Sequence, residues 1–250
     1  MRRPLIAGNW KMNGDRQEAE ALLKAIAGVE PGEADLVVCP PFTALAQAQD
    51  LLRDTVAQWG AQNVYPETAG AYTGEISPQM LQSLGCRWCI CGHSERRQLF
   101  GETDELINRK VRAVLDAGLT PILCVGESAA ERQNGQTASI VQREVEAGLS
   151  GVSAEEAARL VIAYEPIWAI GAGQAATAAE AEEVCSWIRE CMFRCFGAEV
   201  SGQVRILYGG SVNGRNVSDF LKEPDIDGAL IGGASLRAEE FISMYNRAKA

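Results

Sequence analysis

Histidine and positive charge are both scarce in this chain of 250 residues. His93 is its single histidine, and 23 Lys and Arg stand against 33 Asp and Glu, giving a formal charge of −10 and a pI near 4.8. A negative surface disfavours nucleic acids and anionic membranes as partners. It is still compatible with a local cationic pocket for a small anion.

Long apolar runs and a dense cysteine framework are also missing. No stretch approaches the roughly 18 uncharged apolar residues that could span a membrane, and the apolar patch after MRRP is too short for an export signal. The eight cysteines are too sparse for a disulfide scaffold. Several lie in apolar runs, namely Cys86, Cys89, Cys91 and Cys124. We therefore expect reduced core thiols and a cytoplasmic protein.

The chain also has no Ser/Gly/Pro-rich linker and no shift in composition along its length. Its hydrophobic content of 47% can supply a full core. We expect one domain over residues 1–250.

Short apolar runs recur about eight times, and each is followed by a helical pattern. The runs are LIAGNW, LVVC, VAQWGAQ, WCICG, PILCVG, LVIAYE, VRILYG and GALIGG. Eight units in 250 residues average about 31 residues, the size of a strand-helix repeat. This favours an α/β fold in which eight parallel strands form a (β/α)₈ barrel with an outer ring of helices. A doubly wound open sheet is the alternative, but the first turn, GNWKMNG, lacks the G-x-G-x-x-G pattern and no second half restarts the order.

The most informative segment follows the sixth run, where AYEPIWAIGAGQAAT spans residues 163–177. Glu165 ends an apolar strand, so its carboxyl lies at the edge of a dry core, and desolvation is expected to raise its pKa towards that of a general base. The connector that follows is stiff at Pro166 and Trp168 and has glycines at its tip. Thr177 and Glu180 form a capping box that restarts a helix. This pattern is typical of a movable lid.

Strand alternation places further polar groups at the carboxyl ends of strands. Asn9 and Lys11 share one face of the first strand. The same alternation on the fourth strand puts Cys91 and His93 in phase, which predicts that the small Cys91 lies inside the barrel beneath the site. Glycine-rich segments follow the last two strands, as YGGS and LIGGAS, and the usual phosphate site of such barrels is there.

The run from Cys86 to His93 resembles a zinc motif, but strand geometry argues against one. Alternate residues of a strand lie about 6.6 Å apart and adjacent ones face opposite ways. Zinc needs its ligands at about 2.0 to 2.3 Å around one point. We expect no metal there.

Five motifs together resemble the triosephosphate isomerase family, in the family's order and over essentially the whole chain. They are GNWKMN at 8–13, GHSERR at 92–97, AYEPIWAIGAG at 163–173, YGGSV at 208–212 and IGGASL at 231–236. The resemblance implies a TIM barrel. It also implies an enzyme of glycolysis and gluconeogenesis that interconverts dihydroxyacetone phosphate and glyceraldehyde 3-phosphate through an enediolate, with no cofactor.

The resemblance also implies roles for individual residues. Glu165 would be the base, His93 the electrophile, and Lys11 and Asn9 the oxyanion and substrate-binding groups. The phosphate would be held by Gly171, Ser211, Gly232 and Gly233. Glu95 would lie near Lys11, and Tyr208 with Ser211 would latch a lid formed by residues 166–176. Gln62 and Asn63 are interpreted as structural.

Two features bear on regulation and assembly. Ala172 and Gln174 stand where the family commonly has Thr and Lys, which leaves the lid's opening rate open. The family is usually a homodimer in which a loop of one subunit braces the other's active site, and GAYTGE at 70–75 resembles that loop, with Thr73 at its tip.

Two alternative functions remain: an aldolase-like barrel, which would need a Schiff-base lysine deep in a strand, and a barrel that only binds a ligand.

Overall fold

The computed structural model describes residues 2–170 and 176–248. Eight parallel strands close into one barrel, each paired with its sequence neighbours, and β8 pairs with β1. The strands are β1 Leu5–Asn9, β2 Asp35–Cys39, β3 Ala57–Ala61, β4 Trp88–Cys91, β5 Thr120–Val125, β6 Val161–Tyr164, β7 Arg205–Tyr208 and β8 Gly228–Ile231. The eight apolar runs and the barrel predicted from them are confirmed.

At least one helix follows each strand. The α-helices in the described residues are α1 Arg16–Ala27, α2 Leu45–Leu52, α3 Pro78–Ser83, α4 Ser94–Phe100, α5 Asp104–Asp116, α6 Ala129–Gln133, α7 Thr137–Gly148, α8 Ala154–Ala157, α9 Ala178–Gln203, α10 Val217–Phe220 and α11 Ala238–Arg247. None of them combines the length and apolarity needed to cross a bilayer. The capping box of Thr177 and Glu180 begins α9 as predicted, and Gly197 interrupts that helix with a φ of 84°.

The strands separate two apolar layers. One fills the barrel interior and includes Ala7, Cys124 and Ala163, and the other lies between the strands and the helices and includes Ile6 and Trp10. This arrangement follows from side chains that alternate between the two faces of a strand. The polar strand ends are thereby left at one rim of the barrel.

The predicted orientation of Cys91 is wrong. Trp88 and Ile90 belong to the interior layer, whereas Cys89 and Cys91 face the helices. The alternation does not continue to His93 because Gly92 adopts a left-handed φ of 72°, which reverses the direction of the next side chain. His93 therefore lines the cavity at the rim, although Cys89 and Cys91, at the alternate positions before it, face the helices.

Candidate active site

A cavity of about 320 Å³ opens at the carboxyl ends of the strands. Seven residues predicted from the sequence line it: Asn9, Lys11, His93, Glu165, Ser211, Gly232 and Gly233. A larger groove of about 510 Å³ lies beside Trp10 and Leu236, but Glu18 is the one ionisable residue in its described lining. The titratable side chains predicted from the sequence are therefore gathered in the smaller cavity.

Glu165 is 2% exposed and lies directly after β6. One carboxylate oxygen lies 2.8 Å from Nε2 of His93, and the other accepts the backbone N–H of Ser94 at 2.9 Å. Burial raises the pKa of Glu165, but the attraction and hydrogen bond of His93, the Ser94 amide and the charge of Lys11 together lower it below its ordinary value. The expected upward shift is thus wrong for this arrangement, because the sequence did not show that the carboxylate is paired.

His93 caps the N-terminus of α4, and its Nδ1 accepts the backbone N–H of Glu95 at 3.2 Å. An accepting Nδ1 places the proton on Nε2, as in a neutral imidazole. Burial opposes the charged imidazole, yet the nearby carboxylates, above all that of Glu165, raise the pKa of His93. These two observations favour different charge states. The raised pKa holds only while Glu165 rests against the ring, whereas the amide contact keeps Nδ1 unprotonated in either position of Glu165.

Lys11 lies just beyond β1 and has a left-handed φ of 53°, which is uncommon outside glycine. Its ammonium lies 2.5 Å from a carboxylate oxygen of Glu95, as the family resemblance implies. Oδ1 of Asn9 accepts the Lys11 N–H at 3.0 Å, and the Gln62 amide donates to the Lys11 carbonyl at 2.8 Å. The strand ends before Lys11, so these bonds, and not strand alternation, hold its backbone beside the cavity.

The glycine-rich segments after β7 and β8 bring backbone close to these groups. A Cβ on Gly209 would lie 2.9 Å from Cγ of Glu165, so a larger residue would press on the carboxylate. A Cβ on Gly232 would lie 3.4 Å from Cε of Lys11. Gly171, the remaining predicted phosphate contact, lies outside the described residues.

Both described ends of the connector after Glu165 are held by hydrogen bonds. Pro166 precedes a 3₁₀ turn at Ile167–Ala169. The Ser211 hydroxyl donates to the Ala169 carbonyl at 2.6 Å, and the Tyr208 hydroxyl accepts the N–H of Ala176 at 3.2 Å. The two residues predicted to latch the lid therefore contact its opposite ends.

Glu127, which no sequence pattern singled out, anchors the start of the connector. Its buried carboxylate accepts the Trp168 indole N–H at 2.9 Å and the Tyr164 hydroxyl at 3.1 Å. Arg132 pairs with this carboxylate at 3.3 Å, and its guanidinium carbon lies 4.4 Å from the centre of the Trp168 ring. A signal was present, because Glu127 follows the fifth apolar run almost as Glu165 follows the sixth.

Exposed apolar side chains surround a second cavity of about 270 Å³, which shares Asn9, Lys11 and His93 with the first. Its lining includes Met12, 96% exposed, and Phe100, 66% exposed. The loop with Thr73 is also exposed, and the ring centres of Tyr72 and Tyr65 lie 4.5 Å apart.

The comparisons with known proteins agree with this geometry. The family model described as triosephosphate isomerase matches residues 4–248. Proteins named triosephosphate isomerase from Chloroflexus aurantiacus and Syntrophotalea carbinolica are 52% and 51% identical to this chain. The first match covers 98% of this chain and 99% of the relative, and the second covers 97% of each. A third, from Endomicrobium trichonymphae, is 49% identical over the full length of both chains. The chain belongs to the triosephosphate isomerase family.

Proposed function

We propose that this chain is a single-domain triosephosphate isomerase, which interconverts dihydroxyacetone phosphate and glyceraldehyde 3-phosphate, with Glu165 as its base. The observation that carries the proposal is the meeting of a carboxylate, an imidazole and an ammonium in one cavity. Glu165, His93 and Lys11 come from the ends of three different strands and line the same 320 Å³. Proton transfer between adjacent carbons requires a base and groups that stabilise the oxyanion.

Glu165 would remove a proton from C1 of dihydroxyacetone phosphate, and the electron pair left on carbon would form the enediolate. Returning the proton to C2, while the hydroxyl proton passes from O1 to O2, gives the aldehyde. In the resting arrangement the carboxylate oxygens of Glu165 contact His93 and Ser94, and its pKa is lowered. The carboxylate is therefore a weak base until it leaves these partners. Turning towards the substrate would remove these partners while the carboxylate stays buried, which would raise its pKa and strengthen the base.

His93 and Lys11 would stabilise the negative charge that develops on the substrate oxygens. A neutral imidazole with its proton on Nε2 can donate to either oxygen once Glu165 has moved away. In this enzyme family the N-terminus of a helix keeps the imidazole neutral. His93 caps the N-terminus of α4 in this chain. Lys11 contributes a full positive charge beside the cavity, and Asn9 fixes the backbone that carries it.

The glycine-rich rim is the proposed phosphate site. Ser211, Gly232 and Gly233 line the cavity after β7 and β8, where barrels of this class usually bind phosphate. Gly171 would complete the site from the connector. The absence of side chains at the glycines allows a phosphate to approach the backbone amides closely.

Residues 166–176 would act as a lid over the bound substrate. Trp168 is anchored through Glu127, while Tyr208 and Ser211 hold the described ends of the connector. Closure would exclude water and so protect the enediolate from losing its phosphate. No metal or organic cofactor takes part in this scheme. We also propose a cytoplasmic location, since its reducing conditions suit eight free cysteines.

A coupled isomerisation assay on the purified chain tests the function directly. We expect conversion in both directions without added metal or cofactor. A folded protein with no turnover would contradict the isomerase assignment and support a ligand-binding barrel.

We also propose a homodimer in which the loop around Thr73 of one subunit covers the second cavity of the other. Met12 and Phe100 present apolar surface there, and the cavity adjoins Lys11, so a partner loop could brace the active site.

Phe100→Glu is expected to shift the mass measured by light scattering from dimer towards monomer and to lower isomerase activity. Phe193→Glu, at a ring on α9 that is 53% exposed, is the matched control. Equal masses for the two variants would refute this interface.

A further inference from the structure

Two cysteines and a glutamate meet on the outer side of the barrel, on α7 and α9. Cys191 and Cys195 are four residues apart on α9, which places them on one face of the helix, one turn from each other. Glu146 of α7 lies opposite, and the three ligand atoms all lie within 4.8 Å of one another. Within the described residues, these three form the one group of His, Cys, Asp or Glu side chains whose ligand atoms are close enough to share a metal ion.

We propose that Glu146, Cys191 and Cys195 bind a thiophilic divalent metal ion of the zinc class. Two thiolates and a carboxylate are a donor set that zinc accepts, with water in the fourth position. Ligand atoms around a tetrahedral zinc are about 3.5 to 3.8 Å apart, given bond lengths of about 2.0 to 2.3 Å. Cys195 and Glu146 are exposed and can rotate over the remaining distance, whereas the buried Cys191 supplies a fixed ligand.

The groups around the cluster orient it. The Gln142 amide donates to one oxygen of Glu146 at 2.7 Å, and Arg194 donates to the Gln142 carbonyl at 3.3 Å. Such secondary contacts hold metal-binding carboxylates in place.

The chemistry of binding follows from the state of the thiols. Burial, and then the neighbouring Cys195, raise the pKa of Cys191 to about 11. A thiol must lose its proton before it binds a metal ion. Binding would form two metal–sulfur bonds and one metal–oxygen bond and release two protons, without any change of oxidation state.

The proposed site is separate from the isomerase cavity, because none of its three residues lines that cavity. The six other cysteines are buried, and they lie outside this cluster. Since one ligand comes from α7 and two from α9, a bound ion would join two helices of the outer ring. An ion that binds only the folded chain raises its stability.

Cadmium provides the probe, because its bonds to thiolates absorb in the ultraviolet. Under reducing conditions, titration of the full chain with Cd²⁺ is expected to show one site per chain. Cys195→Ser should abolish the thiolate absorption, and Glu146→Gln should weaken binding by at least about tenfold, since even supporting groups around a metal matter by that much. Glu183→Gln is the matched control, because it removes the same charge from an exposed position of α9 about two turns before Cys191 and should bind normally.

A second readout separates this site from the active site. Zn²⁺ should raise the melting temperature of the wild type and leave that of Cys195→Ser unchanged, while both retain isomerase activity. The proposal is overturned if Cys195→Ser binds Cd²⁺ as the wild type does, or if Glu146→Gln and Glu183→Gln weaken binding equally.

Discussion

Glu165→Gln is expected to lower turnover by about 10² to 10⁴-fold, the usual contribution of a positioned general base, while the barrel stays folded. Glutamine has the same shape, and its amide oxygen can still accept the Ser94 N–H that now bonds the carboxylate. It cannot take a proton from carbon. Steady-state kinetics by the coupled assay measure the loss, and circular dichroism with thermal melting verifies the fold.

The same variant reports on the imidazole, because His93 is the single histidine and gives one set of NMR signals. Its pKa should fall in Glu165→Gln, since the carboxylate that raises it is gone and burial then favours the neutral ring. The nitrogen shifts should also show the proton on Nε2. Near-normal turnover would remove Glu165 from the role of base, and an unchanged His93 pKa would show that the pair does not exist in solution.

Lys11→Met is expected to lower kcat/KM by about 10² to 10³-fold or more, a loss typical of removing an oxyanion-stabilising group. The variant keeps the apolar stem of the side chain and removes its positive charge from the cavity. Glu95 loses its ion-pair partner, but this carboxylate is 40% exposed, so the fold should not suffer from a buried unpaired charge. Both KM and turnover should change if the ammonium acts on substrate and on the enediolate.

Lys24→Met is the matched control for this change. Lys24 pairs with Glu20 at 2.6 Å on the exposed face of α1, so it loses the same kind of contact far from the cavity. We expect it to behave as the wild type. An unchanged KM with ordinary turnover in Lys11→Met would refute the proposed role of Lys11, as would equal losses in the two variants.

Much of the fold and the set of side chains at the rim could be predicted from local patterns. Strands of a parallel barrel end at one rim, so Glu165 after the sixth run and Lys11 after the first had to lie near each other once the barrel was inferred. The capping box at Thr177 was equally local, because its two members are three residues apart in the sequence.

The rest depends on backbone geometry and on partners distant in the sequence. Gly92 reverses the side-chain direction between Cys91 and His93, and strand alternation does not predict that reversal. The pKa of Glu165 is lowered by an imidazole 72 positions away along the chain, a pairing that burial alone did not suggest. Glu127 was missed because its partners, Trp168 and Arg132, are brought together only by the neighbouring strands.

Arg132 bridges the two sides of the connector. It pairs with Glu127, which holds Trp168 at one end, and with Glu180 at 3.0 Å, which caps the helix that begins at the other end. One guanidinium thus ties together the two described ends of the connector. In the proposed lid, substitutions between these ends would change the rate of closure while both anchoring contacts stay in place.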